Sequence, residues 1–348
     1  MPDSTATGAS PTPRPTTATS AELAATGTGA ACDAALASWL AASGVCPSPR
    51  APMAIALSAG ADSTALLLAA RRRWAGEVVA LHVNHGLQAA AAAFEDRAQQ
   101  LARDLDVPLQ VERLALTVAS GESPEEVARQ ARYRALARMA GERGAAAVLL
   151  GHQADDQAET VMLALGRGAG LPGLAAMAPV FRRHGVHFGR PLLALRGQSL
   201  RQWLHDEGVA FAEDPSNADP SLTRNRIRQE LMPAWERCFP AFRETVARTA
   251  RHAAQAQALL EELARADLQA TGEPPSIQAL QGLSRPRQAN ALRCWIQAEA
   301  GRGPSTAQLE TLLDMVQRCR TRGHDIRLKV AGGWIVRDGG RLRWTPPL

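Results

Sequence analysis

The 348 residues are 46% hydrophobic, enough for two cores, and the net charge of +5 is carried almost wholly by arginine, Lys329 being the single lysine. No apolar run reaches the ~20 residues of a membrane-spanning helix, and residues 1–30 lack the basic start and apolar core of a secretory signal. Five cysteines, widely spaced and without a C-x-x-C pair, argue for reduced thiols in the cytoplasm rather than disulfides, zinc or an iron–sulfur cluster.

In chain order, the Ser/Thr/Ala/Pro/Gly-rich residues 1–29 predict a disordered extension, and Ala30–Ser43 a helix ahead of the first strand. Short apolar runs then predict strands at Met53–Leu57, Val78–Val83, Leu109–Leu114, Ala146–Leu150 and Val186–Leu192. Amphipathic stretches between them predict helices at Ser63–Trp74, Ala90–Leu105, Pro124–Glu142 and Gln157–Leu165. Such alternation implies βαβ units: an α/β fold with a doubly wound, mainly parallel sheet, whose ligands sit beyond the carboxyl ends of the strands. A helix with Ser199 as N-cap is expected to reach Glu207, and the polar segment Glu213–Pro220 is too rich in Pro, Asp and Asn to be regular. Helical sequence resumes at Arg224 and runs to about Leu268, with breaks expected near Pro233 and Pro240. Residues 274–346 read as a small α/β unit with helices near Arg285–Ala300 and Thr306–Arg318 and strands at Asp325–Val330, Gly333–Arg337 and Arg341–Trp344.

The first strand delivers the chain to Ser58-Ala59-Gly60-Ala61-Asp62-Ser63 at the start of a helix. Small side chains let a phosphate approach the backbone, and the free N–H groups of a helix's first turn attract an anion. The loop lacks the lysine of a G-x-x-x-x-G-K-[ST] cradle. It resembles S-G-G-x-D-S, the pyrophosphate loop of the ATP pyrophosphatases, with Ala59 where that family has its first glycine. If that position requires φ > 0, an alanine there carries roughly 1–2 kcal/mol of strain. An ordinary strand–turn–helix is the bland alternative.

Charge is unevenly spread. Residues 1–223 hold 19 basic and 22 acidic side chains, and residues 224–348 hold 20 and 12, nets of −3 and +8. A basic C-terminal half points to a polyanion larger than ATP, RNA above all, although an arginine-biased proteome would give the same count.

Further motifs follow at strand ends: Leu81–Leu87 with His85; Glu125, Arg129, Arg132 and Tyr133 on a helix; Gly151–Thr160 with His152, Asp155, Asp156 and Glu159; and Gly166–Leu171 with Arg167. Then come Arg190-Pro191, Glu213–Asn217 with Asp214 and Asn217, and Arg224-Asn225-Arg226-Ile227-Arg228. In this order and at these separations the set resembles the tRNA(Ile)-lysidine synthetase family, a branch of the pyrophosphate-loop enzymes, from about Met53 through the Arg224 segment and more weakly to the C-terminus. The resemblance implies an adenine nucleotide alpha hydrolase-like fold. It implies ATP-dependent adenylation of the C2 oxygen of the wobble cytidine in tRNA(Ile) with a CAU anticodon, after which free L-lysine displaces AMP. The matching division is a catalytic ATP-binding domain over 30–222, a helical, tRNA-contacting linker over 223–272 and a small tRNA-binding domain over 273–348.

The same resemblance assigns the roles. Ser58, Ala59, Gly60, Ala61, Asp62 and Ser63 would hold the pyrophosphate and His85 would lie near the adenosine. Asp62 is also a candidate contact for Mg²⁺, and Arg190, Arg224 and Arg226 would stabilise charge on the α-phosphate. Asp155, Asp156 and Glu159 would bind the ammonium groups of lysine or take its proton; capping of a helix N-terminus is the structural alternative. Arg129, Arg132, His152, Arg167, Asp214, Asn217 and Arg228 would face the lysine or the tRNA, against plain i,i+4 pairing for Arg129 and Arg132. The tryptophans read as core. A tRNA thiolase of the same loop family and a non-catalytic RNA-binding relative are the rival readings, and the oligomeric state, a homodimer included, stays open.

Overall fold

The computed structural model describes residues 27–84, 91–115, 124–214, 217, 219–321 and 324–347. They form two compact units, the described residues within 27–163 and 177–247 and those within 164–176 and 248–347.

In the first unit, helix α1 (Thr28–Ser43) precedes β1 (Met53–Ala56), α2 (Ala61–Arg73), β2 (Val78–Asn84), α3 (Ala91–Asp104), β3 (Leu109–Arg113), α4 (Pro124–Glu142) and β4 (Ala147–Leu149). Helix α5 (Ala154–Gly166) runs into residues 164–176 of the second unit, which hold the short α6 (Leu171–Leu174), and the first unit resumes with strands β5 (Val180–Arg183) and β6 (Val186–Gly189) and then helix α7 (Gly197–Asp206). The sheet order is β3-β2-β1-β4-β6-β5, with every pair parallel except β5–β6. This is the doubly wound, mainly parallel sheet that the alternation implies. The order reverses between β1 and β4, so the loops after those strands line the crevice where ligands of such sheets bind.

One apolar layer packs Ile55, Leu57, Leu66, Leu67 and Leu200 on one face of the sheet. The other packs Leu81, Leu136, Met139, Val148 and Phe188 on the opposite face. Both faces are covered, which is why these strands read as continuous apolar runs rather than alternating ones.

Two local expectations are corrected. Strand β5 was not expected; it pairs antiparallel with β6 across the turn at His184-Gly185, both at positive φ. Ser199 is not an N-cap but lies inside α7, whose N-cap is Arg196. Past the polar segment, α8 (Thr223–Arg226) passes through a π-helical turn at Ile227–Leu231 into α9 (Met232–Cys238), with Pro233 in the first turn of α9. The chain stays helical through Pro233, which follows directly on the π-helical turn, so the break falls only at the Pro240 segment. Helix α10 (Phe242–Thr271) follows.

The second unit contains α11 (Ile277–Gln281), α12 (Arg285–Ala300) and α13 (Thr306–Arg318), which pack on a three-stranded antiparallel sheet of β7 (Arg327–Val330), β8 (Gly333–Asp338) and β9 (Arg341–Thr345). Its core is built from Leu280, Leu292, Ile296, Leu312, Ile335 and Leu342. Helix α13 starts with a full capping box, Ser305 and Gln308 bonding each other's backbone N–H.

Candidate active site

The loop from β1 to α2 is wired by its own hydroxyls. Ser63 Oγ accepts from the Ser58 N–H at 3.2 Å, donates to the Gly60 carbonyl at 3.0 Å and meets Ser58 Oγ at 3.0 Å. No side chain caps α2 at Gly60, so the first-turn N–H groups are left for an anion. Ala59 has φ 67°, and its carbonyl accepts from the Ala212 N–H at 2.8 Å, fixing the outward turn. Its methyl is fully buried in the core. Burial of that methyl, worth about 0.8 kcal/mol, and the unfolded-chain entropy a glycine would add, about 0.4–1 kcal/mol, offset most of the 1–2 kcal/mol of left-handed strain. Ala59→Gly is therefore expected to leave stability within about 1 kcal/mol in a denaturant titration; a larger gain would mean that the strain is uncompensated.

Beside the loop, the segment after β4 comes as close as backbone permits. A Cβ on Gly151 would lie 2.9 Å from the Asp62 carbonyl carbon and from the Ser63 nitrogen. Only glycine lets His152 and the acidic set of α5 lie against the first turn of α2.

Asp62 occupies this junction. Its Oδ1 is buried with no hydrogen-bond partner. Burial first, and the negative charge of Asp156 second, push its carboxyl up to about 7, against the pull of Arg201 and Arg228.

The three carboxylates of α5 divide in role. Asp155 is paired with Arg243 and accepts from the Gly197 N–H at 3.2 Å. Arg243 in turn holds Glu236 at 2.6 Å. This ties α5 to the starts of α7 and α10, and it engages Asp155 structurally. Asp156 accepts from the Gln153 N–H at 3.0 Å, a helix-start contact that the capping alternative anticipated. Glu159 is fully buried and takes the Arg228 Nε at 2.7 Å, while its Oε2 has no partner. Arg228 also lies 3.6 Å from Asp156 Oδ1. Burial raises the carboxyls of both Asp156 and Glu159. The buried Glu159 and the partly buried Asp156 thus share one guanidinium, and the charge of Asp156 is felt at Asp62.

A second cluster is basic. Arg190 is buried, donating to the Ala178 carbonyl at 2.7 Å and to the Tyr133 hydroxyl at 3.3 Å, with its Nε unpartnered. Arg129, Arg132 and Arg183 lie over the Tyr133 ring at 6.0, 5.9 and 4.4 Å. Burial, then the positive fields of Arg190, Arg132, Arg224 and Arg129, drive the His152 imidazole down to about 3. His152 is thus neutral, and its Nδ1 is unpartnered. Arg129 pairs with Glu126 at 3.6 Å, at i,i+3 rather than the expected i,i+4 spacing, and among the described residues no ion pair is formed by Arg132.

The structure therefore brings together Ser58–Ser63, His152, Asp156, Glu159, Arg190 and Arg228, with the charge of Arg224 felt at His152, Asp156 and Glu159. Among the described residues the Arg226 side chain reaches the Thr223 hydroxyl, at 3.3 Å. The Asn217 N–H donates to the Asp214 carbonyl at 3.0 Å, and the Asn217 carbonyl accepts from Gln229. Arg167 is exposed just past α5, and His85 lies outside the described residues. Arg183, Arg201 and Arg243 escaped the sequence reading: each gains its place from a chain crossing that no local pattern encodes.

Comparison with known proteins places the chain in a family. Residues 37–235 match the PP-loop domain family, and residues 276–343 match the TilS substrate binding domain. The chain is 54% identical over 294 residues to the tRNA(Ile)-lysidine synthase of Polaromonas naphthalenivorans, covering 84% of this chain and 89% of that protein. It is 39% identical over 313 residues to that of Bordetella bronchiseptica, covering 85% and 90%. With the longer enzyme of Burkholderia pseudomallei, 42% identical over 293 residues, it spans 60% of the relative's length. Among solved structures, the U34-tRNA thiolase NcsA from Methanococcus maripaludis superposes with a TM-score of 0.51 at 17% identity, over 58% of this chain and 71% of that one, a likeness of fold alone.

Proposed function

The chain belongs to the tRNA(Ile)-lysidine synthase family, and we propose that it joins free L-lysine to C2 of the wobble cytidine in the CAU anticodon of tRNA(Ile), at the expense of ATP. The observation that carries the reading is the meeting of an uncapped helix start, an acidic pocket and an arginine cluster at one crevice of the sheet. ATP phosphates, a lysine ammonium and an RNA backbone need those three environments side by side.

The chemistry runs in two steps. The C2 oxygen of cytidine attacks the α-phosphorus of ATP, the bond to the β-phosphate breaks and pyrophosphate leaves. The lysine amine then attacks C2, loses a proton, and AMP departs with the former carbonyl oxygen. The loop N–H groups and the Ser58 and Ser63 hydroxyls bind the pyrophosphate. Arg190 Nε and Arg224 face the charge that grows on the α-phosphate. Asp156 and Glu159 hold the lysine ammonium and receive the proton of the attacking amine. His152, being neutral, offers a hydrogen bond without adding positive charge beside the arginines.

Mg²⁺ fits this site, since the buried Asp62 Oδ1 lacks any partner and Asp156 lies nearby. Asp62 would hold the ion, with Asp156 next to it, and the ion would offset the negative charge of the ATP phosphates.

Neither rival reading is favoured. The relatives at 39–54% identity are tRNA(Ile)-lysidine synthases, and the intact Asp62 and Ser63 argue against a decayed loop. The deciding assay mixes the purified chain with ATP, radiolabelled lysine and tRNA(Ile) bearing CAU. Label entering RNA with stoichiometric AMP supports the proposal. ATP cleavage without lysine incorporation, or tRNA binding without ATP turnover, overturns it.

A further inference from the structure

Arg190 is buried without a counter-charge. Its Nη1 donates to the Ala178 carbonyl at 2.7 Å and its Nη2 to the Tyr133 hydroxyl at 3.3 Å. The guanidinium lies over the Phe181 ring at 4.2 Å. All three partners are uncharged, and among the described residues no carboxylate forms an ion pair with Arg190. Arg228 and Arg243, by contrast, lie against carboxylates, the first at Asp156 and Glu159 and the second at Asp155 and Glu236.

Tyr133 stands at the centre of this basic cluster and is the single tyrosine of the chain. It is 2% exposed, and its ring meets Phe181 and Phe188 edge to face, with centroids 6.1 and 5.3 Å away. The Arg183 guanidinium lies 4.4 Å from its centroid, with Arg129 and Arg132 at 6.0 and 5.9 Å, the outer reach of a cation–π contact. Guanidinium groups gathered this closely repel one another, and burial removes the water that would screen them. A carboxylate among them would fix their positions but cancel the charge that an α-phosphate needs. A phenol fixes them and cancels nothing. The face of its ring attracts cations, and its uncharged oxygen accepts the Arg190 N–H.

We propose that Tyr133 is a positioning residue for the adenylation step: its hydroxyl aims Arg190 at the α-phosphate, and its ring steadies Arg183 beside it. The proposal rests on the function stated above and adds a residue that acts through Arg190 rather than on the reacting atoms. The two parts of the side chain have separable duties. Tyr133→Phe removes the hydroxyl and keeps the ring with its contacts to Phe181 and Phe188, whereas Tyr133→Leu removes both.

The test uses the full chain with tRNA(Ile) bearing CAU. Tyr133→Phe is expected to slow AMP formation at saturating ATP and tRNA about tenfold, with the KM values for ATP and lysine within a factor of about two of wild type. Tyr133→Leu is expected to slow it about 100-fold. A spectroscopic arm needs no turnover. With one tyrosine in the chain, incorporation of meta-fluorotyrosine gives a single fluorine NMR resonance beside Arg190. Addition of α,β-methylene-ATP, which cannot be cleaved between its first two phosphates, is expected to shift that resonance in the wild-type sequence but not in Arg190→Gln. A wild-type rate in Tyr133→Phe, a raised KM for ATP at unchanged rate, a resonance indifferent to the nucleotide, or a shift that survives Arg190→Gln overturns the proposal. Failure of the functional reading is distinct, because the wild-type chain would then put no lysine into tRNA while its fluorine resonance still answered the nucleotide.

Discussion

Asp62→Asn is expected to lower AMP formation by about 10²–10³-fold while leaving the dissociation constant for tRNA within a factor of about two, since the carboxylate faces ATP and not RNA. The same substitution is expected to raise the stability of the ligand-free protein at neutral and alkaline pH. The Asp62 carboxyl is held up at about 7, chiefly by burial and next by Asp156, against an ordinary 3.8. A carboxyl raised on folding favours the folded state below its unfolded pKa, and that advantage is lost as pH rises through the folded one. Wild-type stability should therefore fall relative to Asp62→Asn from about pH 4 to about pH 7 and stay lower above, by at most about 4 kcal/mol. Melting curves across that window check the stability, and an AMP-release assay checks the rate. Parallel loss of ATP turnover and tRNA affinity, or a flat difference in melting temperature with pH, would contradict the role given to Asp62. A gain in stability alongside a loss of activity is the mark of a group held in a strained state for function.

Breaking the Arg228–Glu159 pair carries the second large effect. Arg228→Ala leaves a fully buried carboxylate without its guanidinium, and removal of one partner of such a pair costs about 3–5 kcal/mol; the partial exposure of Arg228 puts the expectation near about 3. Glu159→Gln added to it should restore at least about 1–2 kcal/mol of that loss, because no buried charge remains to be compensated. Lysine affinity is expected to part company with stability. Glu159→Gln alone removes a charge-assisted contact worth about 1.5–3 kcal/mol, and so should raise the KM for lysine about 10–100-fold with little change in the KM for ATP. Denaturant titrations of the two single variants and the double variant, with lysine and ATP series for Glu159→Gln, separate the two consequences. A double variant no more stable than Arg228→Ala would rule out the buried charge as the source of the loss. An unaltered lysine KM in Glu159→Gln would remove Glu159 from the substrate pocket.

Much of this architecture is legible without coordinates because its signals are local. The apolar runs at Met53–Ala56, Val78–Asn84 and Ala147–Leu149 are nearly uninterrupted, as strands covered on both faces must be. Helix α4 runs over the expected Pro124–Glu142. The hairpin of β5 and β6 escaped because its outer strand, Val-Phe-Arg-Arg, is short and half polar. Ser199 misled for the opposite reason: a good capping residue proposes a helix start, but the preceding residues were already helical and no local rule could overrule it.

The candidate site divides along the same line. The loop Ser58–Ser63, the acidic set and the arginine segment are contiguous motifs, and their order along the chain pointed to ATP, lysine and RNA; the positive φ of Ala59 could also be posed as a question from sequence alone. Which of three neighbouring carboxylates is free could not. Asp155, Asp156 and Glu159 are equivalent on paper, and only tertiary packing ties Asp155 to Arg243, 88 residues away, while Arg228 is placed between Asp156 and Glu159. Likewise the raised pKa of Asp62 comes from burial and from the charge of Asp156, far from it in sequence. The sequence by itself determined the chemistry available, because residue types and short spacings are properties of the chain. Burial, field and partnership sum over groups distant in sequence, so the assignment of each charge to structure or to substrate was decided only by the fold.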